Sequence, residues 1–74
     1  MSYNLIMSPK SKIGRNLKKA RLEQNMTQAK VAEATGLHTN YYARAERGEE
    51  TLSMKTLKAI CKVLKVKSSD ILDF

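Results

Sequence analysis

The sequence predicts an all-α domain of five helices, and three features carry that prediction. Pro9 is the only proline, so nothing after it breaks a helix by removing a backbone donor. In the segments that follow, apolar residues recur at the three-to-four-residue spacing that lines one helix face, not at the alternation of a strand. Three candidate helix starts also carry an apolar pair five positions apart around a capping residue, the spacing of a hydrophobic staple. At 74 residues the chain has room for a single domain with a small core.

Residues 1–11, MSYNLIMSPKS, show no sustained periodicity and end in the turn-like Ser8-Pro9. They are expected to form a flexible N-terminal arm whose Leu5 and Ile6 are free to dock, with the folded domain spanning 12–74. From Lys12 to Asn25, Ile13, Leu17 and Ala20 fall on one face, with Arg15, Lys18, Lys19 and Glu23 elsewhere, giving helix one. Thr27 is placed to cap helix two, Gln28 to Thr35, with Met26 and Val31 as its staple. Gly36 then permits the left-handed conformation that stops the helix and turns the chain. Around a cap at His38, Leu37 and Tyr42 repeat the staple; helix three, Thr39 to Arg47, puts Tyr42 and Ala45 inward and Asn40, Ala43 and Arg44 outward. Gly48 ends it.

After the acidic loop Glu49-Glu50, Leu52 and Leu57 staple a helix capped by Ser53, with apolar positions Met54, Leu57, Cys61 and Leu64 and an end near Lys65. Lys58, Lys62 and Lys65 face away from that stripe, toward solvent. Ser68 is placed to cap a last short helix, Ser69 to Asp73, whose Ile71, Leu72 and Phe74 exceed what so short an element hides on its own.

Fourteen Lys and Arg against seven Asp and Glu leave a net charge of +7, a field that attracts polyanions and puts nucleic acid first among candidate partners. Cys61 has no second cysteine to pair with and lies on an apolar stripe, where it reads as a small hydrophobe in a reducing cytoplasm. No apolar run is long enough to span a membrane, and the N-terminus lacks the pattern of a signal peptide, so the expected location is cytoplasmic. No Cys–His or Ser–His–Asp set, no glycine-rich phosphate loop and no metal-ligand spacing points to an enzyme or a cofactor. His38 is the only histidine, which argues against a metal site and for a cap or phosphate-facing role.

The informative unit is TQAKVAEATGLHTNYYARAERG, Thr27 to Gly48: two short helices joined by a glycine turn too tight to let them lie antiparallel, the geometry of a helix-turn-helix. From Ile13 through Leu72 the chain resembles the Cro and lambda-repressor-like helix-turn-helix family, which implies a compact five-helix DNA-binding domain acting in transcription regulation. Within that family, Leu37, His38, Asn40, Tyr41 and the run Glu46-Arg47-Gly48 are similar to the small controller proteins of restriction-modification systems and to phage and plasmid regulators of similar length.

The resemblance implies roles residue by residue. Thr39, Asn40 and Arg44 match the positions that face bases, and their chemistry suits it: Arg pairs with guanine, Asn with adenine, and Thr bonds or packs against thymine. Gln28, His38, Tyr41, Arg47 and Lys55 are the expected phosphate contacts. Arg21 and Glu46 match an ion pair that ties the first and third helices together. Tyr42 and Ala45 depart from the two medium aliphatic residues usual there, so Tyr42 is expected to fill the space Ala45 leaves, its hydroxyl reaching the surface.

One short helix reads few base pairs, so a homodimer on a palindromic double-stranded operator is expected, with Ile71, Leu72 and Phe74 as the apolar interface and RNA polymerase as a further candidate partner. The competing reading is an antitoxin-type interaction module that engages a partner through the arm or the C-terminus and uses the helix-turn-helix to regulate itself. A basic domain coating nucleic acid without preference is the third, and the outward Asn40 and Arg44 argue against it.

Overall fold

The computed structural model describes residues 8–73; the expectations for Leu5, Ile6 and Phe74 lie outside them. Along the chain run α1 (Pro9–Glu23), α2 (Gln28–Thr35), α3 (Thr39–Glu46), α4 (Met54–Leu64) and α5 (Ser68–Ile71), with no strand among the described residues. None of these helices is long and apolar enough to cross a membrane.

α1 begins at Pro9 and not at Lys12. Ser8 Oγ accepts from the Ser11 N–H at 3.2 Å, and Pro9 takes the first helical position, where its missing donor has no partner to lose. Ser8-Pro9 is therefore a helix start, and Pro9, Lys10 and Ser11 are helical. The helix ends at Glu23, short of Asn25, because Asn25 adopts φ 56° and the Met26 N–H returns to the Arg21 carbonyl at 3.2 Å.

α2 spans the expected residues, and α3 starts where expected but ends at Glu46, one residue short of the expected Arg47, which is its C-cap. Thr27 Oγ1 accepts from the Lys30 N–H at 3.1 Å, and after Thr35 the chain enters Gly36 at φ 74° while the Leu37 N–H bonds back to the Ala32 carbonyl at 2.9 Å. No atom crowds a Cβ at Gly36, so the left-handed backbone alone favours glycine there. α3 starts at Thr39, three residues beyond the glycine.

Tyr42, Leu17, Ile60, Leu64, Ile71 and Val31 are the largest fully buried side chains. Met26, Leu37 and Leu52 pack half-buried against the core they help enclose, each five residues before the buried Val31, Tyr42 or Leu57, a burial pattern consistent with all three staples. α4 departs from expectation at one end of its stripe. Met54 is 51% exposed, and the buried set is Leu57, Ile60, Cys61 and Leu64, a cleaner i, i+3, i+4, i+7 face.

α1 packs on α3 and α5, α2 lies against α3 and α4, and α4 closes onto α5. Gly14, buried in α1, sets the first of these approaches: a Cβ there would run into the carbonyl oxygens of Ala45 and Glu46 at the end of α3. α5 begins one residue earlier than expected, at Ser68, and Ser68 is not its cap; Asp70 Oδ2 accepts instead from the Lys67 N–H at 2.9 Å. Asn16 Nδ2 donates to the Ile71 carbonyl at 2.8 Å and ties α5 to α1.

Two expectations are corrected by burial. Tyr42 is wholly inside, so its hydroxyl does not reach the surface and finds no hydrogen-bond partner. Ile71 is only 2% exposed because its side chain completes the core beneath α1 and α4, which leaves none of it for a second subunit.

Candidate nucleic-acid interface

The position of α3 is fixed from below by a buried charge network. Arg21 Nε donates to Glu46 Oε2 at 2.7 Å and Nη2 to Oε1 at 3.1 Å, while Nη1 reaches the Met26 carbonyl at 2.9 Å. Both residues are less than one-tenth exposed, so the pair anticipated from the sequence is formed and enclosed. Gln28 joins it, its side-chain Nε2 donating to Glu46 Oε1 at 3.0 Å. A buried carboxylate with this many donors has lone pairs satisfied that water would otherwise fill.

Electrostatics follow the geometry. Burial pushes the Glu46 pKa up, but the hydrogen bonds donated by Arg21 and Gln28, the nearby polar hydroxyl of Tyr42 and the Arg21 charge outweigh it, and the net direction is down. The hydrogen bond to Glu46 raises Arg21 against the opposing effect of burial. The Tyr42 hydroxyl lies beside this pair and is pushed well above the ordinary tyrosine range, first by burial and then by the Glu46 carboxylate.

The opposite side of α3 faces solvent. Thr39 and Asn40 are exposed, Tyr41 and Arg44 half-buried, and all four line one open concavity of about 720 Å³ that starts at the Gly36 turn and includes His38. The residues with base-reading chemistry, Thr39, Asn40 and Arg44, are thus brought together with His38 and Tyr41. His38 occupies the N-cap position of α3 by its backbone, and its side chain makes no capping hydrogen bond. The imidazole is left on the surface.

Three other expected contacts stand apart. Gln28 is half-buried with one amide hydrogen committed to Glu46, so its first role is inside the network. Arg47 lies at the far end of α3, paired with Glu49 through Nε at 3.0 Å and Nη2 at 3.2 Å; this pairing raises the Arg47 pKa and lowers that of Glu49. Lys55 is exposed in the first turn of α4, outside the lining of the concavity. Leu72 is half-buried at the close of α5.

Sequence reasoning missed Glu50, whose Oε2 accepts from Arg44 Nε at 3.0 Å. No periodicity connects a loop residue to a helix residue across the Gly48 turn, and opposite charge near an outward arginine was the one signal available. It also missed Gly14, whose role depends on a neighbouring helix. Among the described residues no group of three or more His, Cys, Asp or Glu side chains is placed to hold a metal.

Comparison with known proteins agrees with this geometry. The sequence profile of the helix-turn-helix family matches residues 17–71. The chain is 37% identical over 62 residues to the control protein C.BamHI of Bacillus amyloliquefaciens, covering 82% of this chain and 76% of that protein. Its fold is similar to the restriction-modification controller protein C.Esp1396I, with a TM-score of 0.79 and 32% identity over 92% of this chain and 87% of the other. It is also similar to the clp gene regulator ClgR of Corynebacterium glutamicum, with a TM-score of 0.88 and 25% identity over 90% of this chain and 71% of that one. With its helix-turn-helix formed from Thr27 to Gly48 and the family match extending across the core on either side, this chain belongs to the helix-turn-helix family and is a DNA-binding transcriptional regulator.

Proposed function

We propose that this regulator is a controller of the restriction-modification kind, binding a palindromic operator as a homodimer with α3 in the major groove. The observation that carries the reading is the grouping of Thr39, Asn40 and Arg44 on one concave outward surface of α3. A major groove about 12 Å wide admits a single helix, and these three side chains offer distinct donor and acceptor patterns to base edges. His38 and Tyr41 within that concavity, and Gln28 through its remaining amide hydrogen, Arg47 and Lys55 outside it, supply phosphate contacts that set the helix in register. Net charge of +7 adds the long-range attraction.

The relatives support the assignment: C.BamHI is a control protein, and C.Esp1396I is a restriction-modification controller also solved as a nucleoprotein complex. Two copies of α3 would address half-sites about 34 Å apart. With Ile71 in the core, the apolar contact between subunits falls to Leu72 and its neighbours at the close of α5. The cytoplasm, where Cys61 stays reduced, is the compartment of action.

Selection of binding sites from random duplex DNA at one near-physiological salt concentration, with Arg44→Ala in parallel, tests the reading. A palindromic motif that loses preference at particular base pairs in the variant supports it. Salt-sensitive binding without enrichment, equal in both proteins, overturns it.

A further inference from the structure

We infer that Glu50 is a positioning residue for DNA recognition: it holds Arg44 by one edge so that the end of its guanidinium is presented to a base. The inference rests on the reading of α3 as the recognition helix, and it assigns a role to a loop carboxylate that the helix pattern leaves out.

The two arginines of α3 are held in different ways. Arg47 gives both Nε and Nη2 to Glu49, so a whole edge of its fork is occupied, and both side chains are more than half exposed. Arg44 gives Nε alone to Glu50 Oε2, at 3.0 Å, and among the described residues its Nη groups have no further hydrogen bond. Those two nitrogens form the end-on fork that matches O6 and N7 of guanine. Arg44 also lines the concavity shared with Thr39 and Asn40, whereas Arg47 does not.

Energetics separate positioning from stability. The Arg44 and Glu50 side chains are 42% and 31% exposed, and an ion pair this open to water adds little to folding. An arginine held by a single Nε bond loses rotamer freedom before it meets DNA, so less ordering remains to be done on binding. A carboxylate so close to the DNA face also repels phosphates, which weakens every sequence equally. Orientation therefore acts on the ratio between operator and unrelated DNA, and charge acts on both alike.

The experiment compares the wild type with Glu50→Ala, Glu50→Gln and Glu49→Ala, measuring affinity at fixed salt for the selected operator and a scrambled duplex. The operator is also tested with the base pair read by Arg44 substituted. Glu50→Ala is expected to raise affinity for the scrambled duplex yet lower the operator-to-scrambled ratio about tenfold, flattening discrimination at the pair that Arg44→Ala flattens. Glu50→Gln keeps an acceptor oxygen for Nε without the charge and is expected to recover much of that ratio. Glu49→Ala is expected to raise both affinities in parallel. Circular dichroism and a thermal melt confirm that each variant is folded. Glu50→Ala behaving like Glu49→Ala, with ratio and base preference intact, overturns the inference while leaving the recognition helix in place, and so does Glu50→Gln matching a Glu50→Ala that has lost the ratio. A wild type with no sequence preference overturns the recognition reading itself, and this role for Glu50 with it.

Discussion

The Arg21 guanidinium grips the Glu46 carboxylate through two parallel bonds of 2.7 and 3.1 Å, so the last residue of α3 is fastened to the C-terminal part of α1. The concave surface of Thr39, Asn40 and Arg44, which we propose reads bases, lies on the opposite side of the same helix. A structural pair and the proposed recognition surface thereby share one eight-residue element, and disturbing the first is expected to misplace the second.

Removal of either partner is expected to destabilise the fold by about 3–5 kcal/mol, because the survivor becomes a buried charge without a counterpart. Glu46→Ala should lose DNA binding by unfolding, seen as a lower and broader thermal transition. Gln28→Ala removes one neutral donor from a carboxylate that keeps Arg21, and about 1–2 kcal/mol is expected. A Glu46→Ala protein that melts cooperatively at the wild-type temperature would show the pair to be dispensable.

Acid should act on the same carboxylate. The folded-state pKa of Glu46 is held below its unfolded value, so its stabilisation is complete above the ordinary glutamate range near 4.3 and is lost as pH falls through the lower folded value. Urea unfolding followed from pH 7 to pH 2 is expected to show a decline that begins below about pH 4.5. Glu46→Gln, already weakened at neutral pH, should decline less steeply over that window.

Tyr42 gives the opposite sign at the opposite end of the scale. Its folded pKa is raised, so the neutral phenol stabilises the fold fully below the ordinary value near 10, and that contribution is lost as pH rises beyond it. Because the buried hydroxyl has no partner, Tyr42→Phe removes a desolvated polar atom while keeping the ring that fills the core. Tyr42→Phe is expected to match or exceed the wild-type melting temperature at pH 7 and to resist unfolding above pH 10 better. A loss of more than about 1 kcal/mol at pH 7 would mean that the hydroxyl is bonded after all.

Much of this was legible in the sequence, and the misses share a cause. Local chemistry announced the caps at Thr27 and Ser53, the turn at Gly36 and the three staples, since each depends on residues within five positions of one another. Family resemblance supplied the Arg21–Glu46 pair, which separation in sequence hides. Ser8-Pro9 was misread because proline suits both a turn and the first position of a helix, and only the Ser8 side chain on the Ser11 N–H separates the two. Tyr42, Ile71, Gly14 and Glu50 required knowing which element lies opposite: the depth of a ring, the reach of a short terminal helix, the closeness of two backbones, and a loop folding back on α3.

Gly14 offers a direct check on how tightly α1 sets α3. Gly14→Ala favours helix by intrinsic propensity, yet its methyl must displace backbone carbonyls at Ala45 and Glu46 and not a yielding side chain. Net destabilisation of about 1–3 kcal/mol is expected, with operator affinity falling more than stability predicts, because α3 must move outward to admit the methyl. A control at the exposed Ala29, Ala29→Gly, should lower stability by up to about 1 kcal/mol through propensity alone.

Arg44 and Lys55 should differ in kind on DNA. A base-reading arginine loses its effect when its base pair is changed, so Arg44→Ala is expected to weaken operator binding by about 1–3 kcal/mol and to relax preference at that pair. A lysine that meets phosphate has no such dependence: Lys55→Ala should weaken all sequences alike and reduce the slope of log affinity against log salt by about 1. Titrations of operator and scrambled duplex across a series of salt concentrations yield both quantities for each variant. An Arg44→Ala protein that changes the salt slope but keeps every base preference would place that guanidinium on the backbone, and recognition would then fall to Thr39 and Asn40 on the same concave face.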